Sequence, residues 1–98
     1  MVNTKNKKYA QRKHALNRAN NRCDLVFSKA VRTEFLSLIQ TSKSICMYKQ
    51  SLRASCHKVN YQDIDYYVIY DKIRKEIVTF LTEQMVNDTI NDMEKYYE

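Results

Sequence analysis

The spacing of apolar positions predicts one long helix in the middle of the chain. Positions three or four residues apart share one helical face from Val31 to Leu52, and they are Val31, Phe35, Leu38, Ser42, Ile45, Lys49 and Leu52. Ile39 and Cys46 widen this face. Asn21 and Ser28 are rival N-caps for the helix, which is expected to cover about residues 24–55.

The segments on either side also have patterns that are typical of helices. Residues 1–8 look like a solvated basic arm, and residues 9–20 like a short helix with too few apolar side chains to be stable alone. A short extended connector at residues 54–59 leads to Asn60, which can cap a third helix. The apolar side of that helix would be Ile64, Val68, Ile69, Ile73, Ile77, Phe80 and Leu81. Residues 89–98 would form an acidic tail helix.

The chain of 98 residues contains neither Gly nor Pro, which argues against a hairpin-rich β protein. Tight turns with positive φ would then depend on Asn or Asp. An AT-rich genome would explain the same deficit equally well. The expectation is an all-α fold, with three to four helices around one long central helix, either histone-fold-like or a small helical bundle. Residues 1–20 would be the basic arm and short helix, and residues 21–98 a single helical domain. The expected core residues are Phe35, Leu38, Ile45, Val68, Ile77 and Phe80.

Charge is sorted along the chain, whose net charge is +6. Residues 1–22 contain seven basic side chains and no acid, whereas residues 62–98 contain nine acidic and four basic side chains. So dense a cluster of cations favours a polyanionic partner, most commonly nucleic acid. The alternative is a solvated tail that only keeps the protein soluble. The candidate phosphate-binding residues are Lys5, Lys7, Lys8, Arg12, Lys13, Arg18, Arg22 and Lys58.

No motif in the sequence indicates catalysis, a metal or a cofactor. Cys56 and His57 are adjacent, but no spacing typical of zinc ligands accompanies them, and nothing suggests a third group that would orient a nucleophile and its base. His14 lies among basic residues and would face phosphate or water. Four tyrosines at residues 61–70 fit packing against a helix or partner better than stacking on bases, because acids flank them.

Two short motifs resemble the small histone-fold proteins of chromatin and replication, of the nuclear factor Y gamma, chromatin-remodelling and DNA polymerase epsilon small-subunit type. One motif is Ser28-Lys29-Ala30-Val31-Arg32-Thr33-Glu34-Phe35-Leu36, and the other is Lys58-Val59-Asn60-Tyr61-Gln62-Asp63-Ile64. With the later pair Phe80-Leu81, the resemblance covers about residues 22–81. It implies an obligate heterodimer in which Arg18, Arg22 and Lys58 touch DNA phosphates.

The sequence therefore predicts a non-enzymatic, basic subunit of a larger nucleoprotein complex, on DNA as a histone-fold subunit or on RNA as a ribosomal or ribonucleoprotein subunit. A protein partner would cover the long helix or the acidic C-terminal half. The alternative is a helical protein–protein adaptor, viral or regulatory, that does not bind nucleic acid. No secretory signal or membrane-spanning stretch is visible, so an intracellular location is expected, nuclear or cytoplasmic, with an organelle left open.

Overall fold

The computed structural model describes residues 4–95, and the side chains of residues 10–94. In chain order the elements are α1 (Thr4–Cys23), α2 (Lys29–Gln40), β1 (Ile45–Lys49), β2 (Ala54–Tyr61), β3 (Ile64–Asp71), β4 (Glu76–Leu81) and α3 (Glu83–Lys95). The strands form one antiparallel sheet in the order β1-β2-β3-β4. The predicted all-α class is therefore wrong, and so are the histone fold and the small helical bundle.

The sheet is covered on both faces. On one face α1 and α2 pack against a cluster that contains Phe35, Val68 and Phe80. On the other face α3 contributes Val86 and Ile90 to a smaller cluster around Cys56 and Ile69. The sheet therefore separates α1 and α2 from α3.

The predicted long central helix ends fifteen residues early, at Gln40 instead of about residue 55. Ser42 adopts φ 61°. The amide of Ser42 donates to Ile39 O, and the amide of Lys43 donates to Leu38 O at 2.9 Å. These two bonds form a Schellman motif, in which Ser42 takes the position where glycine is usual. The apolar residues after this helix end were expected on the same helical face. Ile45 and Cys46 instead belong to β1, and Leu52 belongs to the β1–β2 turn.

Hairpins occur in this chain without glycine. The β2–β3 turn consists of Gln62 (φ 51°) and Asp63 (φ 65°), and the β3–β4 turn contains Lys75 (φ 56°). Two consecutive positive-φ residues are the signature of a type I′ hairpin turn, whose twist matches that of paired strands. The lack of glycine therefore did not exclude a sheet.

The predicted third helix consists of β3 and β4. Along β3, Tyr66, Val68 and Tyr70 belong to the cluster under α1 and α2, while Tyr67 and Ile69 belong to the cluster under α3. Because helices cover both faces of the sheet, the strand is apolar at nearly every position, and a continuous apolar run does not distinguish a buried strand from a helix. The motif at residues 58–64 lies in the β2–β3 hairpin. Of the extended structure, only the connector at residues 54–59 was anticipated, and it falls in β2.

Four of the six predicted core residues are buried: Phe35, Val68, Ile77 and Phe80. Leu38 is half-buried against the same cluster. Ile45 is 60% exposed and was predicted wrongly, because it lies on the edge strand β1. The core also includes Ala15 and Ala19 of α1, both 0% exposed, so the N-terminal helix is stabilised by the sheet.

Among residues 4–95, no helix is both long and apolar enough to cross a membrane.

Candidate phosphate-binding site

A cleft of about 420 Å³ lies between α1 and the start of α2. Its lining residues are Arg12, Lys13, Leu16, Phe27, Ser28, Lys29 and Arg32. Four of these seven are cationic and none is acidic. Two of the four come from α1 and two from α2, so folding brings together charges that are far apart in sequence.

One wall of the cleft is α1, whose position is determined by small side chains packed against the sheet. Ala15 and Ala19 are four residues apart and fully buried, which lets the helix lie close to β4. Arg22 Nη1 donates to Phe80 O at 2.9 Å near the C-terminal end of α1. These contacts fix how α1 lies along β4, and therefore where Arg12 and Lys13 lie.

Arg12 is anchored by a nearly buried carboxylate. Its Nε and Nη2 donate to Glu76 Oε1 at 3.1 and 2.8 Å, and Glu76 is 3% exposed. The Arg12 side chain itself remains 42% exposed. A guanidinium has five N–H donors, so this contact leaves donors for an anion in the cleft.

The second wall is the first turn of α2. Ser28 is the N-cap, and its Oγ accepts from Val31 N at 3.3 Å. Lys29 and Arg32 follow in that turn, with no acid in it. The N-terminal end of a helix is its positive end, where cations are unfavourable by about 0.3–1 kcal/mol each and anions are favourable. Lys29 and Arg32 also share the cleft with Arg12 and Lys13. An anion between these groups would offset both kinds of repulsion.

The structure describes the side chains of five of the eight predicted cations, and their surroundings differ. The side chains of Lys5, Lys7 and Lys8 lie outside the described residues. Arg12 and Lys13 line the cleft, and Arg18 is half-buried on α1.

Arg22 and Lys58 lie together elsewhere, in a cavity of about 350 Å³ that also contains Asp65 and Glu83. Lys58 Nζ is 3.6 Å from Asp65 Oδ2. Since Asp65 and Glu83 balance the charges of Arg22 and Lys58, this cavity has no net positive charge and is not the anion site.

Sequence reasoning missed Lys29 and Arg32, because both were assigned to the interior of one long helix. The signal was present in the sequence: two cations without an acid directly follow the N-cap candidate Ser28. If Ser28 begins the helix, these two cations lie at its positive N-terminal end, where acidic residues are preferred. Such local violations are expected at functional sites.

Cys56 and His57 do not act as a pair. They are adjacent on β2, and therefore point to opposite faces of the sheet. Cys56 is fully buried in the cluster under α3, and burial raises its pKa to about 11, which keeps the thiol protonated. On the other face, His57 Nε2 lies 2.8 Å from Ser55 Oγ, and Nδ1 lies 3.0 Å from Ser44 Oγ. Ser55 is 0% exposed, so this group links the α2–β1 loop to the sheet and does not face a substrate.

The tyrosines of β2 and β3 pack internally. Tyr66 and Tyr70 are buried, and the rings of Tyr61 and Tyr66 lie 5.2 and 5.6 Å from that of Phe35. These side chains belong to the core on the face of α1 and α2, and their packing leaves no stack of exposed rings there for bases.

Within the described part of the chain, no group of three or more His, Cys, Asp or Glu side chains could hold a metal ion. No protein-family model, curated protein or solved structure matches this chain.

Proposed function

We propose that this protein binds the phosphate backbone of nucleic acid in the cleft between α1 and α2, as a non-enzymatic subunit of a nucleoprotein assembly. The observation that carries the proposal is the cleft's charge: four cations and no carboxylate line it, and although Glu76 compensates Arg12 from beneath, Lys13, Lys29 and Arg32 leave the cleft positive. Two of these cations occupy the unfavourable, positive end of α2. A phosphate there would accept hydrogen bonds from Arg12 and Arg32 and ion pairs from the lysines.

The cleft supports backbone contact more than base reading. Phe27 is the aromatic residue in its lining, and it is 4% exposed, with its ring centroid 4.8 Å from that of Phe80. It is therefore committed to the core. Leu16, 43% exposed, offers only aliphatic surface. Phosphate contacts position a protein without selecting a sequence, so affinity should vary little between sequences.

The opposite side of the sheet suits a protein partner. Helix α3 exposes four acids: Glu83, Asp88, Asp92 and Glu94. A polyanion would be repelled from this face, whereas a basic protein surface would be attracted to it. Nucleic acid on the α1 and α2 side and protein on the α3 side would then not compete.

The test is a titration of wild type and of Lys29→Gln/Arg32→Gln against a duplex DNA and a structured RNA, at about 50 and 200 mM salt. Loss of two phosphate contacts should lower the slope of log K against log salt by about 1.8 for duplex DNA. The same variant should unfold at a higher temperature than wild type, because two cations leave the positive end of α2. Weaker binding together with higher stability is the expected pair of results.

The matched control is Lys43→Gln/Lys58→Gln, which removes the same charge outside the cleft. It should retain nearly all of the wild-type affinity and salt slope. Equal losses in the two variants would mean that only net charge matters, and the cleft would not be the site. No binding by wild type to either polymer would contradict the function itself and favour the adaptor alternative.

A further inference from the structure

Two turns at one end of the sheet carry a second group of cations. The β1–β2 turn, residues 50–53, and the β3–β4 turn, residues 72–75, are joined by the amide of Lys72, which donates to Arg53 O at 2.7 Å. Together these eight residues contain four cations and no acid: Arg53, Lys72, Arg74 and Lys75. Three of the four fall in the segment that sequence reasoning counted as acidic.

Each carboxylate that flanks the β3–β4 turn is paired with an arginine, Asp71 with Arg53 and Glu76 with Arg12, so the net positive charge of this surface comes from Lys72, Arg74 and Lys75. Asp71, 4% exposed, accepts from Arg53 Nη2 at 2.9 Å and from the amides of Ile73 and Arg74 at 2.9 and 3.0 Å. Glu76, 3% exposed, accepts from Arg12. The turn is thereby held in one conformation, and the charge that it shows to solvent is positive.

This surface adjoins the cleft. Arg12 lines the cleft, and it also pairs with Glu76, the residue that follows Lys75. Arg22 contacts Phe80 further along β4, so α1 runs parallel to β4 and its N-terminal turns extend toward the two turns of the sheet. The backbone carrying Lys5, Lys7 and Lys8 therefore begins at the same end of the molecule.

We propose that the surface formed by Arg53, Lys72, Arg74 and Lys75 is a second phosphate contact, continuous with the cleft. This inference rests on the proposed function and deepens it. The cleft lies between α1 and α2 and the cations lie on two turns of the sheet, so a ligand that contacts both sites is a polymer whose backbone passes from α2 across Arg12 onto the turns. Its chemistry is a nucleic-acid strand or duplex of several nucleotides, and not a mononucleotide.

An anionic lipid surface is the rival occupant. Leu52 is fully exposed and Ile73 is 71% exposed, and both project from the turn tips among the cations. Exposed apolar side chains surrounded by cations are also typical of surfaces that bind anionic membranes. Nucleic acid is favoured because Arg12, which pairs with Glu76 beside the β3–β4 turn, also lines the cleft, where four of the seven lining residues are cationic.

The test compares Lys72→Gln and Lys75→Gln with the single control Lys58→Gln, which removes the same charge at the opposite end of the sheet. Each protein is titrated with duplex DNA at two salt concentrations, and by co-sedimentation with phosphatidylserine-containing vesicles. Each turn variant should lower the salt slope by about one and the affinity about eightfold near 0.1 M salt, while Lys58→Gln stays near wild type.

The outcomes separate this inference from the function on which it rests. If wild type binds DNA and the turn variants behave like Lys58→Gln, the turns make no contact and the inference is overturned, while the cleft proposal stands. If wild type binds no nucleic acid, the proposed function fails first. If vesicle binding is strong and lost in Leu52→Ser/Ile73→Ser, while Lys72→Gln and Lys75→Gln leave DNA affinity unchanged, the turns are a lipid surface and the inference is wrong.

Discussion

Within residues 4–95, five residues, none of them glycine, hold the backbone at positive φ: Asp24, Ser42, Gln62, Asp63 and Lys75. Only the two aspartates are of a type that tolerates this conformation readily. For the others the left-handed region costs about 1–2 kcal/mol. Because sequence reasoning allowed such turns only at Asn or Asp, the helix end at Ser42 and the turns at Gln62 and Lys75 could not be anticipated from residue type.

Gln62→Gly should therefore stabilise the protein. Relief of the left-handed strain exceeds the added entropy of an unfolded glycine, for a net gain of about 0.5–1 kcal/mol. Thermal unfolding should shift upward by about 2–8 °C for a domain of this size. Gln62→Ala keeps the Cβ and should show no gain, so an equal rise in both variants would contradict the strain explanation.

His57 makes stability depend on pH. Burial, with a smaller contribution from the charge of Lys72, lowers its pKa below the ordinary value. The unfolded chain then takes up the proton first, so the free energy of unfolding falls as pH falls through about 6.5 toward the pKa of the folded state. Denaturant titrations between about pH 7.5 and 5.5 should show this loss. His57→Gln should flatten the profile, and an unchanged slope in that variant would assign the effect to other groups.

At the scale of elements, the apolar stripe was interpreted correctly up to Ile39 and wrongly beyond it. Phe35 and Ile39 do lie on the buried face of α2. The spacing of three and four residues between apolar positions continues beyond the helix only by coincidence. Ile45 lies in β1 and Leu52 in the β1–β2 turn, and both happen to match the helical intervals. Periodicity describes which residues could share a face, but it does not show where a helix stops when the left-handed residue after the C-cap is a serine.

Phe35→Ala should cost about 3–5 kcal/mol, since the ring is fully buried and lies 5.6 Å from those of both Phe27 and Phe80. That loss is comparable with the whole stability of many small domains. Ile45→Ala, a change at an exposed position once assigned to the same face, should cost less than about 0.5 kcal/mol. Chemical denaturation of the two variants measures the difference, and similar losses would contradict the assigned helix end.

At the scale of the whole molecule, folding converts a charge gradient along the chain into two oppositely charged layers. Helix α1, with seven cations and no acid, lies on one face of the sheet, and α3, with four acids and one lysine, lies on the other. The net charges of the N-terminal and C-terminal segments predicted that the molecule has a basic side and an acidic side. They could not predict the cleft, which needs α2 to begin beside Arg12. Nor could they predict the basic turns, whose lysines lie in a segment of net negative charge.

The most direct test of the central claim is an amide chemical-shift titration of the labelled protein with a random-sequence DNA duplex. The largest changes are expected at the cleft, around Lys13 and Leu16 of α1 and around Ser28 to Arg32 of α2, with little change in the amides of α3. Shifts concentrated in α3 or around Lys58 and Asp65, or no shifts at all, would contradict binding in the cleft.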